Sequence, residues 1–179
     1  MIAALLLLAI FFFLHFWRLP EIPNGFFGDE ASVGYNAYSI YKTGSDEYGN
    51  KYPVFFRSFD NYQDPVMVYT LVPLVNMFGL EKWVVRLPGA FFFLLAAVFF
   101  YYLSGKYVRN KWICLCGAFV FSILPWVFPL SRTGIGGYMP MLFGIISGCC
   151  FLIDAAAKNS KKPALLSGAC WAFAMYSHQ

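Results

Sequence analysis

Long apolar runs alternate along the chain with short polar links, and one polar segment far exceeds the others. Residues 2–17 are apolar except for His15, and Trp17 and Arg18 suit an end at a membrane interface. Residues 18–80 form the long polar segment, and further apolar runs follow at 83–104, 112–128, 139–157 and 163–177. A bilayer core takes about 20 residues of helix, fewer where the flanks snorkel. The pattern therefore predicts five spans, with the last one cut short. A cleaved leader at 2–17 fits poorly, because there is no basic start and no small-x-small site, and Pro20 and Pro23 follow directly.

Inside the long loop, Leu19–Gly25 reads as extended and turn-rich. Asp29 is placed to cap a helix from Glu30 to Lys42 that closes at Gly44. Ala31, Tyr35, Tyr38 and Tyr41 share one face of that helix, an aromatic stripe suited to a membrane interface. Thr43–Pro53 is a turn-rich excursion, and Asp46-Glu47 within it reads as a solvated turn among Ser, Gly and Asn. Asp64-Pro65 reads as a cap and first helical residue. The short apolar helix they open meets Pro73, ends near Phe78-Gly79, and suits an interfacial position.

Composition sharpens this picture. The chain is 60% apolar and only 12% charged, against about half and a quarter in soluble domains, which makes it an integral membrane protein. A net charge of +4, scattered along the sequence, points to no nucleic-acid partner. The cysteines all lie in apolar runs, and Cys114-x-Cys116 has no histidine near it, so they read as small hydrophobes and no metal site is assigned. Eight of the nine acidic residues fall between Glu21 and Glu81, where lipid cannot cover them. The short loops 105–111 and 158–162 are basic, which by the positive-inside rule makes them and the N-terminus cytoplasmic. Loop 18–80, Arg86 and Arg132 then share the extracytoplasmic face. The plain reading of these groups is Asp29 as a cap, Glu30 as a first-turn acid, and two snorkelling arginines; a guanidinium there also suits a phosphate.

The ordered set Phe27-Gly28-Asp29-Glu30-Ala31, Thr43-Gly44-Ser45-Asp46-Glu47-Tyr48-Gly49, Pro65-x3-Tyr69-x3-Pro73-x4-Phe78-Gly79 and Arg86-Leu87-Pro88 carries a resemblance. It resembles the N-terminal region of polyprenyl-phosphate-sugar-dependent glycosyltransferases of the GT-C fold. The pattern is most similar to the bacterial branch of the dolichyl-phosphate-mannose protein mannosyltransferase family; aminoarabinose transferases share the superfamily. Pro125-Trp126 and Ser131-Arg132 look like that family's third-to-fourth helix junction.

The resemblance implies an all-α polytopic membrane protein of the plasma (inner) membrane: a GT-C-like transmembrane helix bundle with a large extracytoplasmic first loop carrying interfacial helices. Residues 1–179 would be the N-terminal part of one such domain, and the isolated chain is expected to be inactive. The implied donor is a polyprenyl-phosphate-linked sugar. The acceptor would be a protein, lipid or glycan hydroxyl. Asp29 would be the general base of an inverting transfer, and Glu30 would orient the acceptor. Neighbouring helix residues point about 100° apart, so the two carboxylates would not share one task. Arg86, Arg132 and Asp64 would bind substrate, the arginines stabilising the leaving phosphate. No cofactor is required, and a divalent metal is left open. A lipid-linked-sugar transporter or an inactive scaffold of the same fold is the alternative.

Overall fold

The computed structural model describes residues 2–58 and 61–178, with side chains described over 8–58 and 62–178. Asp60, one of the loop acids, lies outside the described residues. The helices in order are α1 (Ile2–Phe16), α2 (Gly28–Thr43), α3 (Pro65–Phe78), α4 (Lys82–Ser104), α5 (Lys111–Ser122), α6 (Val127–Ser131), α7 (Tyr138–Lys158) and α8 (Lys161–Ser177). A short antiparallel hairpin, β1 (Phe56–Ser58) with β2 (Asn61–Gln63), pairs Phe56 with Gln63 and Arg57 with Tyr62. The sequence reading had no strand there, and Phe56 is why one forms: it is fully buried and holds the edge of the loop onto the α2–α3 core.

Two of the described helices, α4 and α7, are long and apolar enough to cross a membrane. The expected single span over 112–128 is instead two pieces, α5 and α6. Pro125 has no amide hydrogen to continue the ladder, and the 12 residues of α5 cover only about 18 Å. α3 starts at Pro65 and ends at Gly79 as expected, but Pro73 lies inside it rather than interrupting it.

Two apolar clusters organise the chain. In the first, Val33, Ala37 and Ile40 of α2 pack with Met67, Val68, Leu71 and Val75 of α3 and with Val84 and Val85 of α4. The apolar face of α3, expected to lie in an interface, is thus largely taken up by protein. Tyr35, Tyr38 and Tyr41 sit on the opposite, exposed face of α2. The second cluster joins Phe11 of α1, Phe93, Ala96 and Ala97 of α4, Val127 of α6, and Met139 and Ile146 of α7.

α4 and α7 run parallel. Near their starts Gly134 packs on Val85, and near their ends Lys106 meets Asp154 at 2.6 Å. The return strokes α5 and α8 therefore leave both basic loops at one end and the loop 18–30 at the other. From Arg86 to Lys106 the helix rise separates these ends by about 30 Å. α7 and α8 pack closely through Gly144 and Gly148, and added Cβ atoms there would lie 2.8 Å from Ala174 and 2.9 Å from the Trp171 ring.

His15, the one polar residue of the first apolar run, is fully buried. Its Nδ1 lies 2.8 Å from the Ser131 hydroxyl, which is also 2.7 Å from Phe128 O. The ring packs among Phe11, Phe93 and Phe128.

Candidate active site

α2 begins one residue earlier than its acids suggest. Phe27 occupies the cap position in extended conformation and Gly28 opens the helix, so Asp29 and Glu30 both fall in its first turn. Asp29 is therefore not the cap, which corrects the expectation from sequence. Instead Glu30 reaches back one turn, and its Oε2 accepts from the Phe27 N–H at 3.0 Å. At the far end Gly44 takes φ +72°, a left-handed conformation that ends the helix with its N–H on Ile40 O.

The two acids meet opposite environments. Asp29 is exposed, with no hydrogen bond or ion pair to a described residue. Glu30 is completely buried against Arg86, which is itself completely buried. Arg86 Nε donates to Glu30 Oε1 at 2.8 Å and Nη2 donates to Oε2 at 3.1 Å. Glu30 Oε1 also accepts from the Gly134 N–H at 3.0 Å. The rest of the guanidinium is spent on the chain after α1: Nη1 donates to Leu19 O at 2.9 Å and Pro23 O at 3.0 Å, and Nη2 to Gly25 O at 2.7 Å. All five Arg86 donors are thus used. Glu30, expected at an acceptor, and Arg86, expected at a phosphate, are here bonded to each other and to the chain around them. The pair instead ties together the 19–25 loop, α2, α4 and the 131–137 link.

Arg132 follows the same logic. It is nearly buried, and it donates to Leu14 O, to Trp17 O at 2.6 Å and to Ile22 O at 3.1 Å. These carbonyls lie at and just beyond the end of α1, where a cation is favoured. Burial first, and then the nearby Arg86 charge, pull the Arg132 guanidinium below its ordinary value. Its donors also go to backbone rather than to a site open to substrate. Asp64 caps α3 by conformation only. Its buried carboxylate accepts from the Gly137 N–H at 2.5 Å and lies 3.1 Å from His178 Nδ1, joining the starts of α3 and α7 to the end of α8. Arg86, Arg132 and Asp64, expected from sequence to bind substrate, are each held here by partners within the chain, as buried charged groups require.

Ser32, Asn36 and Ser58, not singled out from sequence, meet Glu47 of the 46–47 turn in a polar cluster beside α2. Glu47 N–H donates to Asn36 Oδ1 at 3.0 Å, and Asn36 Nδ2 donates to Glu47 Oε1 at 3.2 Å. The Ser32 hydroxyl lies 3.4 Å from Glu47 Oε1 and 3.3 Å from the Ser58 hydroxyl. Asn36 is fully buried, whereas Glu47 is exposed. Asp46 makes the expected turn, its Oδ1 accepting from the N–H groups of Tyr48 at 3.0 Å and Asn50 at 2.7 Å. That turn presents Glu47 and Tyr48 to α2.

The result is an open depression of about 320 Å³ lined by Ser32, Tyr35, Glu47, Tyr48 and Ser58. Gly28 and Ala31 complete its lining; Asp29 follows Gly28 in the chain and precedes Ser32 by one turn, but does not itself line the depression. A carboxylate, two hydroxyls and two phenol rings suit a polyhydroxylated ligand. The legible signal was Ser32 and Asn36, polar residues one turn apart beside an otherwise apolar buried face. Among the described residues no three His, Cys, Asp or Glu side chains converge to hold a metal.

A family model described as dolichyl-phosphate-mannose-protein mannosyltransferase matches residues 63–179. The match takes in Asp64, Arg86 and Arg132 and begins after Asp29, Glu30 and Glu47. No curated protein and no solved structure gave a match.

Proposed function

The chain belongs to the dolichyl-phosphate-mannose-protein mannosyltransferase family, and from that premise we propose that it moves a sugar from a polyprenyl-phosphate donor to a hydroxyl acceptor at the extracytoplasmic face, with inversion. The family is one of membrane glycosyltransferases. The observation that carries the residue-level reading is the contrast between the two adjacent acids. Glu30 is locked on Arg86, while Asp29 is exposed, has no partner among the described residues, and stands one turn before Ser32 of the Ser32–Glu47 depression.

In this reading Asp29 takes the proton of the acceptor hydroxyl. The acceptor oxygen forms its bond to the anomeric carbon on the face opposite the phosphate. The bond from that carbon to the phosphate oxygen breaks, and its electron pair leaves with the polyprenyl monophosphate. Phosphate is a good leaving group, so one base suffices, contributing about 10²–10⁴-fold. Glu30, Arg86 and Arg132 are positioning residues that fix the first turn of α2 against α4 and the 131–137 link. Glu47, with Ser32, binds hydroxyls of the acceptor or of the sugar. The plasma membrane is the proposed location, and residues 1–179 are proposed as the first part of one GT-C-type domain.

The test is transfer of radiolabelled sugar from polyprenyl phosphate by membranes carrying the whole protein, compared with Asp29→Asn. Loss of about 10²-fold or more with unchanged expression and thermal stability is expected. Unimpaired transfer by Asp29→Asn would remove Asp29 from the chemistry. No transfer by the parent with any sugar donor would favour a transporter or scaffold.

A further inference from the structure

Toward the end of the bundle opposite Asp29, two cavities adjoin. The first, of about 210 Å³, lies between α1, α4 and α5 and is almost entirely apolar. Its size follows from small residues on facing helices, since Ala97 of α4 and Ala118 of α5 leave room that Leu94, Leu115 and Phe119 do not fill. The second, of about 280 Å³, lies where α4 turns into α5 and is lined by Lys106, Arg109 and Lys111. Tyr101 lines both, so the two adjoin along the groove between α4 and α5, the first apolar and the second lined by cations.

The charges lining the second cavity are not equivalent. Lys106 is neutralised by Asp154 at 2.6 Å, and Asp154 also accepts from the Tyr102 hydroxyl at 3.2 Å. Arg109 and Lys111 are exposed and have no carboxylate partner among the described residues. They flank the start of α5, whose N-terminal dipole adds to their field. Tyr101, Tyr102, Tyr107 and Trp112 are exposed at this level, as side chains in a headgroup region are. Two unneutralised cations above an apolar cavity complement an amphiphile with one anionic head.

We propose that this groove holds one anionic glycerophospholipid, its phosphate between Arg109 and Lys111 and one acyl chain in the cavity between α1, α4 and α5. The apolar continuation favours a lipid over free phosphate, which would leave that cavity unused. The proposal needs only that the chain lies in a membrane and is independent of the catalytic reading.

The experiment uses the whole protein, purified in mild detergent, stripped of lipid, and titrated with phosphatidylglycerol or phosphatidylcholine under native mass spectrometry. One phosphatidylglycerol per chain is expected to bind at least about tenfold more tightly than phosphatidylcholine, given roughly a fivefold gain per cation. R109Q/K111Q is expected to abolish that preference, whereas K161Q/K162Q, with the same charge change in the other basic loop, is expected to leave it within about twofold. Ala118→Phe, which fills the cavity and keeps the cations, is expected to weaken both lipids. Loss of the preference in K161Q/K162Q would mean diffuse attraction and overturn the proposal, as would its survival in R109Q/K111Q. Competition by millimolar inorganic phosphate, or stronger binding of polyprenyl phosphate, would overturn the assignment to a phospholipid. Arg109 and Lys111 are exposed, so R109Q/K111Q does not depend on repacking a core.

Discussion

Replacing Arg86 by Met should unfold the junction that carries Asp29. The side chain is fully buried and its five N–H groups serve one carboxylate and three carbonyls. Methionine approximates its volume and removes every one of those bonds. Glu30 would keep only the N–H groups of Phe27 and Gly134, with its charge still out of water. Stripping one partner from a buried ion pair costs about 3–5 kcal/mol. Abandoned carbonyls add to this, but Pro23 and Gly25 lie in a largely exposed loop where water can replace the guanidinium. At about 2–4 °C per kcal/mol for a chain of this size, the unfolding midpoint should fall by roughly 6–20 °C. Arg86→Lys should fall between, because it keeps a charge for Glu30 and cannot reach all three carbonyls. Glu30→Gln combined with Arg86→Met should cost less than the sum of the singles, since it leaves no unpaired charge. Tryptophan fluorescence of the whole protein in detergent reads the midpoint, and sugar transfer is measured on the same samples. A midpoint within about 2 °C of the parent, with transfer abolished, would refute this reasoning and return Arg86 to the substrate.

Arg132→Gln should leave the end of α1 short of donors, so hydrogen exchange over residues 14–22 should quicken while α7 stays protected. Gly137→Ala should be poorly tolerated, because an added Cβ would lie 1.4 Å from the Ser177 carbonyl oxygen; a lowered yield of folded protein and a midpoint loss of several degrees would show it. Glu47→Gln should shift the midpoint little, since the side chain is exposed, while raising KM for acceptor or donor about tenfold through one charge-assisted bond. An unchanged KM would remove Glu47 from the site.

Part of this was open to reading in the sequence. Long apolar runs marked α4 and α7, because helix rise and bilayer thickness set the length a crossing helix needs. Asp64-Pro65 and Gly79 marked both ends of α3 through local backbone chemistry. The acids of loop 18–80 and the basic loops separated by sign, and the parallel course of α4 and α7 carries Arg86 and Lys106 to opposite ends. What the sequence could not decide was how each charged group is spent. Asp29 and Glu30 are neighbours of nearly equal intrinsic chemistry. Only the approach of Arg86, 56 residues away, and of Gly134, 104 residues away, makes one a buried strut and leaves the other with no partner among the described residues. Glu47 joins Asn36 and Ser32 only because the turn at Asp46 folds back on α2. Periodicity and capping are properties of a few consecutive residues, so the sequence by itself determines them. Desolvation and pairing depend on which distant segments arrive, and that is decided only when the helices pack.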